Sequence, residues 1–185
     1  MTRAAELIRP KGKDMETLAL ARTLARYNAW MNERLYDCCT RFSDEERKKD
    51  MGAFFKSIHG TLNHLLLADR IWMGRFTGRP FVIKTLADEL YADFTELRAQ
   101  RKATDTAISG WIASLSEEDL RGTLSYMSIV NPTQRTYPMG FAIAHFFNHQ
   151  THHRGQLTTL LYQAGIDPGV TDLIWLPGTE EPQAP

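Results

Sequence analysis

The sequence predicts an all-α protein, a four-helix bundle with a small β-hairpin inserted before the last bundle helix. Four long segments carry apolar residues at intervals of mostly three or four, which is the period of a helix with one buried face. One segment between the third and fourth instead alternates in part, as strands do. No internal repeat or long linker divides the 185 residues, so we expect one domain over residues 1–185, with flexible ends at 1–13 and 178–185.

The first two bundle helices are predicted over about residues 14–40 and 54–76. The first carries an apolar stripe free of Gly and Pro, made of Leu18, Leu20, Leu24, Tyr27, Trp30, Met31 and Leu35. Residues 43–46, Ser-Asp-Glu-Glu, form a polar connection to the second, whose stripe is Ile58, Leu62, Leu65, Leu66, Asp69 and Trp72. The sequence Thr-Gly-Arg-Pro at 77–80 ends the second helix, because glycine is the usual C-terminal stop and proline disfavours helix in its predecessor.

The third helix is predicted over residues 86–115 and closes at Ser-Glu-Glu, residues 116–118. The period then changes. Residues 122–129 are rich in residues that favour strands, Asn-Pro at 131–132 indicates a turn, and Arg-Thr-Tyr at 135–137 is expected to return as the second strand of a hairpin.

The fourth helix is predicted to begin after Pro138 and to end near Gln163, before Gly165. The tail that follows has three glycines and four prolines among its 21 residues, so we expect it to be mostly irregular. Its apolar residues 173–175, Leu-Ile-Trp, are expected to pack back against the bundle.

Charge and composition favour a small-molecule ligand over nucleic acid or a membrane. Lys and Arg number 22, as do Asp and Glu, so no excess positive charge indicates nucleic acid or an anionic lipid surface. Arg3, Glu6 and Arg9 interrupt the apolar residues of the N-terminus, and no run reaches the roughly 18 apolar residues of a membrane span. We therefore expect a cytoplasmic protein. Its adjacent cysteines, Cys38 and Cys39, suit neither a disulfide framework nor a zinc knuckle and are expected to be free thiols.

Three histidines within five positions of the fourth helix indicate a metal site. His149 and His153 are four residues apart, so their side chains share one helix face and can bind one ion, and His145 extends the same row. His152 points about 100° away from His153 and is a poor ligand candidate. Packing is the alternative, since such pairs also arise by chance in helices.

A third imidazole must come from a neighbouring helix. On the second helix His59 and His64 diverge by about 140°, so at most one of them faces the fourth helix. Three histidine nitrogens would leave one or more coordination positions open, as in catalytic rather than structural metal sites.

The chain also resembles the DinB/YfiT-like family of bacterial helical bundles. The segment HFFNHQTHHRGQL, residues 145–157, is similar to that family's signature on the last bundle helix. Matching segments lie in order at residues 24–35 (LARYNAWMNERL), 57–76 (SIHGTLNHLLLADRIWMGRF) and 165–177 (GIDPGVTDLIWLP), so the resemblance covers nearly the whole chain.

The resemblance implies an up-down-down-up bundle, often dimeric, with three histidines holding a divalent metal, usually nickel or zinc. Carried over position by position, the ligands are His64, His149 and His153. His59 and His145 are left as neighbours, although His145 could contact the metal site or the substrate, or simply be packed. Gln156 lies on the ligand side of the helix, where its amide could orient water, whereas Arg154 is expected to pair with a carboxylate.

Three further polar residues are placed near this site by their spacing. Asp69 is a candidate acceptor for an imidazole N–H or a partner for Arg154, with a structural ion pair favoured. Asn28 and Asn32 could reach the site or form a hydrogen bond between helices.

Relatives in the wider superfamily imply a function in thiol chemistry. They include transferases and isomerases that use low-molecular-weight thiols such as bacillithiol, mycothiol or glutathione. A metal-dependent thiol S-transferase that detoxifies electrophiles is therefore our leading hypothesis, with a thiolate activated by the metal and His145 and Gln156 as candidate helpers. The alternatives are a hydrolase that uses metal-bound water and a stress-associated bundle that binds metal without turnover. Access to the metal distinguishes the enzymes from the last of these.

Overall fold

The computed structural model describes residues 11–86, 88–129 and 131–180, and its elements match the predicted class. The long helices are α1 (Lys11–Cys39), α3 (Ile58–Thr77), α4 (Phe94–Ser114) and α6 (Met139–Gln163). Two short helices, α2 (Asp44–Lys48) and α5 (Glu117–Arg121), lie in the connections. The antiparallel hairpin of β1 (Thr123–Met127) and β2 (Gln134–Pro138) precedes α6, as predicted.

Contacts between the long helices define the up-down-down-up order. α1 and α6 are parallel, since Gly140 lies near Thr17 at one end and Arg154 donates to Asn28 further along both helices. α3 runs antiparallel to α6, because its residue 64 meets 153 and its residue 72 meets 145. α4 is parallel to α3 and antiparallel to α1. The long connection from residue 78 to 93 makes the parallel arrangement of α3 and α4 possible.

The core consists of two apolar clusters with a polar layer between them. One cluster is built around Met31, Leu35, Leu66, Leu97 and Leu161, and the other around Trp72, Ile108, Ile112, Ile143 and Phe146. The middle turn of each long helix contributes buried polar side chains instead, namely Asn28, Asn32, Asp69, Arg101, Asp105, Gln150 and Arg154. His149 and His153 of α6 lie at the level of this layer.

The second bundle helix begins four residues later than predicted, at Ile58. Ser57 caps it by accepting a hydrogen bond from the Gly60 amide, and the preceding residues form a tight turn in which Lys56 has a φ of 66°. A Cβ at position 60 would collide with the carbonyl oxygen of Phe55, so Gly60 allows the turn to lie against the helix. This turn brings Phe55 over the histidines of the bundle.

The third bundle helix begins at Phe94 rather than near residue 86. Asp93 caps its N-terminus, and the segment before it is held to α3 by Asn63, whose side-chain oxygen accepts from the amides of Leu90 and Tyr91. The apolar residues at 86 and 90 thus belong to a loop that packs on α3, and their spacing imitates a helical turn.

The connections at residues 43–48 and 116–121 are short helices rather than simple polar links. Each begins with a reciprocal capping box, Ser43 with Glu46 and Ser116 with Asp119. The acidic residues that suggested solvated loops therefore stabilise helix N-termini.

The expectation that Leu173, Ile174 and Trp175 pack against the bundle is wrong for this 3-10 turn, since the three are 37%, 75% and 55% exposed. Ile166 and Leu176, at either end of the tail, are buried instead. The side chain of Arg34 donates to the carbonyls of Pro168 and Val170, so the tail is held by its backbone and its middle side chains point outward.

Of the ends expected to be flexible, residues 1–10 and 181–185 lie outside the described residues, and residues 11–13 begin α1. Cys38 and Cys39 are free, as predicted. None of the helices described is both long and apolar enough to cross a bilayer.

Candidate metal centre

Three imidazoles meet where α3 and α6 face each other. The Nε2 atom of His153 lies 3.2 Å from that of His64 and 3.1 Å from that of His149. These three residues form a group whose potential ligand atoms all lie within 4.8 Å of one another. The antiparallel packing of α3 on α6 thus brings His64 to the pair spaced four residues apart.

Hydrogen bonds from the opposite ring nitrogens orient two of these imidazoles. Nδ1 of His64 lies 3.2 Å from the carbonyl oxygen of Leu86, and Nδ1 of His153 lies 2.8 Å from Oε1 of Gln156. A carbonyl oxygen only accepts, so each Nδ1 carries the proton and each Nε2 presents its lone pair. Gln156 therefore fixes the tautomer of His153 and lies on the predicted side of the helix.

The arrangement fits a divalent cation. Two neutral imidazoles that present lone pairs to each other cannot form a hydrogen bond, so the 3.2 Å separation between the Nε2 atoms of His64 and His153 is compatible with a cation that accepts both electron pairs. Around one ion with metal–nitrogen bonds of about 2.1 Å, neighbouring nitrogens are about 3.0–3.4 Å apart. The two measured separations lie within that range.

Electrostatics keep these imidazoles neutral at physiological pH. Burial, together with the adjacent His153, lowers the pKa of His64 to about 4 and that of His149 to about 3. Burial also lowers the pKa of His153, against the hydrogen bond that His153 donates to Gln156, which raises it. Because protons compete with metals for the same lone pairs, lowered pKa values favour metal binding near pH 7.

A cleft of about 540 Å³ leads to the histidines. His64 and His153 form part of its wall, and the apolar part is supplied by Phe54, Phe55 and Leu86. The ring of Phe55 stacks on His64 with centroids 3.8 Å apart. The candidate metal site is therefore open to a small molecule and is bordered by aromatic surface.

The remaining histidines are not part of the triad. His59 is buried, and its Nε2 lies 2.9 Å from the carbonyl oxygen of Tyr91, so it anchors the loop before α4. His145 is exposed and packs against Trp72, with ring centroids 4.9 Å apart, so it is not a core residue. His152 is outside the triad as predicted, but it lines the cleft, which the sequence did not indicate.

The polar layer shows the partners of Asp69, Arg154, Asn28 and Asn32, and Asp69 forms the favoured ion pair with a different arginine. Asp69 pairs with Arg101 at 2.5 Å and accepts from Gln150, rather than binding an imidazole or Arg154. Among the described residues Arg154 has no carboxylate partner and donates to Asn28 instead, while its guanidinium lies over the ring of Tyr27.

Asn28 and Asn32 hydrogen-bond between helices, each donating to Asp105. Arg101 and Asp105 were missed, although their spacing of four on the apolar stripe of the third helix is a signal that sequence alone provides.

The Gln156→Leu variant is expected to bind metal about 10 to 100 times more weakly than the wild type, because His153 loses the acceptor that fixes its tautomer. Competition with a coloured chelator measures the affinity. Gln163→Leu, about two turns further along α6 at its exposed end, is the matched control. Equal affinities in the two variants would show that Gln156 does not support the ligand.

Comparison with known proteins agrees with this architecture. The DinB family profile matches residues 15–184. Protein DinB of Bacillus subtilis (strain 168) is 28% identical over 158 residues, which cover 80% of this chain and 88% of that protein. A DinB-like protein from Bacillus cereus ATCC 10987 shares the fold with a TM-score of 0.57 and 22% identity, covering 76% of this chain and 90% of that one. Because the profile spans most of the sequence and includes all four bundle helices, the chain belongs to the DinB family.

Proposed function

We propose that the protein binds one divalent metal ion, nickel or zinc, through His64, His149 and His153. The observation that carries this proposal is the convergence of three Nε2 atoms, with 3.1 Å and 3.2 Å separations and two rings held in the metal-binding tautomer. The ligand set is entirely imidazole, which suits these metals better than magnesium or calcium.

We further propose that the protein is a metal-dependent S-transferase that joins a low-molecular-weight thiol to an electrophile. Three protein ligands leave a position open for a thiol, and the cleft gives a small molecule access to it. This access favours an enzyme over a bundle that only stores or is stabilised by metal. The aromatic and aliphatic side chains of the wall suit an apolar electrophile.

The chemistry required of the site is limited. A divalent ion supplies Lewis acidity, which lowers the pKa of a bound thiol. The S–H proton passes to solvent, the sulfur forms a bond to the electrophilic carbon, and the leaving group departs with the electron pair of its bond. Phe54, Phe55 and Leu86 provide an apolar surface for the electrophile, whereas Gln156 and the Leu86 carbonyl keep the imidazoles in position.

Cobalt-substituted protein tests the thiol proposal directly. Bacillithiol, mycothiol or glutathione is titrated into it, and a sulfur-to-cobalt charge-transfer band is expected with at least one of them. The same thiol should then be conjugated to an aryl halide by metal-loaded protein and not by protein treated with chelator. A fully loaded protein that gives neither the band nor conjugation with any of the three thiols would overturn the transferase proposal and leave the metal proposal standing.

A further inference from the structure

The surface between α3 and α6 continues past the metal centre as a row of aromatic and cationic side chains. The ring of His149 is followed at 6.1 Å by that of His145, which in turn packs at 4.9 Å on Trp72. On α3, positions 64, 68, 72 and 75 are spaced by three or four and form one stripe along the facing helix. This row ends at Arg75.

Arg75 is bracketed by two aromatic rings. Its guanidinium carbon lies 4.5 Å from the ring centre of Trp72 and 4.0 Å from that of Tyr126 on the hairpin. The side chain is partly buried, and burial lowers the pKa of its guanidinium. Contact with both rings holds the planar group in place before any ligand arrives.

No described carboxylate lies within ion-pair distance of Arg75, and no described group accepts a hydrogen bond from it. Other arginines of the bundle differ: Arg101 contacts two carboxylates, and Arg70 donates to Tyr91 and Gln100. A partly desolvated cation without a counter-ion is costly, and a guanidinium presents its N–H groups in the fork that matches a carboxylate.

We propose that Arg75, held between Trp72 and Tyr126 and flanked by His145, is a carboxylate-binding subsite for the molecule that reacts at the metal centre. This inference rests on the proposed function. It assigns a binding site to the carboxylate end of a ligand whose reacting atom lies at the three histidines. Arg75 follows His64 by 11 residues, or about 16 Å along the helix axis.

The ligand is therefore elongated. A molecule three or four residues long spans about 10–14 Å when extended, and the long arginine side chain covers the remaining distance. A peptide-like thiol with a carboxylate remote from its sulfur has this shape and charge. Short thiols with no remote anion would reach the metal without contacting Arg75.

Binding of a simple carboxylate tests the subsite independently of thiol chemistry. Glutarate is titrated into zinc-loaded protein, and glutaramide serves as the uncharged counterpart. Amide and indole NMR signals of Trp72 and the Nε–H signal of Arg75 are expected to shift with glutarate alone.

Arg75→Met should weaken glutarate binding roughly tenfold or more. The matched control, Arg70→Met, removes another α3 arginine and should leave glutarate binding unchanged. Equal shifts with glutaramide, or undiminished glutarate binding in Arg75→Met, would overturn the assignment.

A second titration separates this inference from the proposed function. Glutathione and its diethyl ester, which lacks the carboxylates, are compared on cobalt-loaded protein. Wild type should prefer the acid over the ester, and Arg75→Met should bind both as weakly as wild type binds the ester. If neither thiol gives a sulfur-to-cobalt band, transferase chemistry with glutathione fails, and the glutarate result alone decides the subsite.

Discussion

Replacing any one of His64, His149 and His153 with alanine is expected to reduce the metal content from about one ion per chain to nearly none. Each imidazole would supply one of the three proposed ligands, and two nitrogens bind a divalent ion far more weakly than three. Elemental analysis of protein made without a polyhistidine tag measures this directly. The helices should persist, because both apolar clusters keep all their side chains in these variants, even though His64 and His153 are themselves buried.

The control for this experiment is His152→Ala, which removes a neighbouring imidazole that lines the cleft outside the triad. It should retain its metal. Chelator should lower the melting temperature of the wild type and of this control, by about 5–10 °C if the free metal had been at roughly 100 times its Kd. Metal retained by His64→Ala, or lost from folded His152→Ala, would show that the ligands are assigned incorrectly.

The Arg101→Met variant is expected to destabilise the fold by about 3–5 kcal/mol. Arg101 neutralises both Asp69 and Asp105 at contact distances of 2.5 and 2.7 Å, and all three side chains are buried. Without it, two carboxylates remain in the polar layer with only amide donors as direct partners. Urea unfolding measures the loss. Arg98→Met, which removes a surface ion pair with Asp37, should cost less than about 1 kcal/mol.

The pH dependence of this effect distinguishes lost charge pairing from lost packing. Burial raises the pKa of Asp105 even with Arg101 present, and removing the arginine should raise it further. When folding raises the pKa of a carboxyl group, the folded protein becomes more stable relative to the unfolded chain as pH falls and the group is protonated. The difference in the free energy of unfolding between Arg101→Met and the wild type should therefore shrink from pH 7 towards pH 4. A difference that does not change with pH would indicate packing instead.

The helical class, the hairpin and the pair His149 and His153 were all predicted from the sequence, because each depends on local spacing. The helix ends at Gly78 and Gly165 were also predicted, because glycine is the usual stop. The structure confirms both, with positive φ values of 69° and 82° that glycine adopts without strain. The helix starts at Ile58 and Phe94 were not, because a turn and a loop that pack on α3 carry apolar residues at helix-like intervals.

The sequence by itself determined which residues are the candidate metal ligands, since three imidazoles and their helical faces can be identified from spacing and family resemblance. Tertiary packing decided what those residues contact. The antiparallel placement of α3 on α6 brings His64 to His153, and the same packing places Arg101, rather than Arg154, beside Asp69. Side-chain partners depend on distances between helices far apart in the chain, and the period of one helix contains no information about the register of its neighbour.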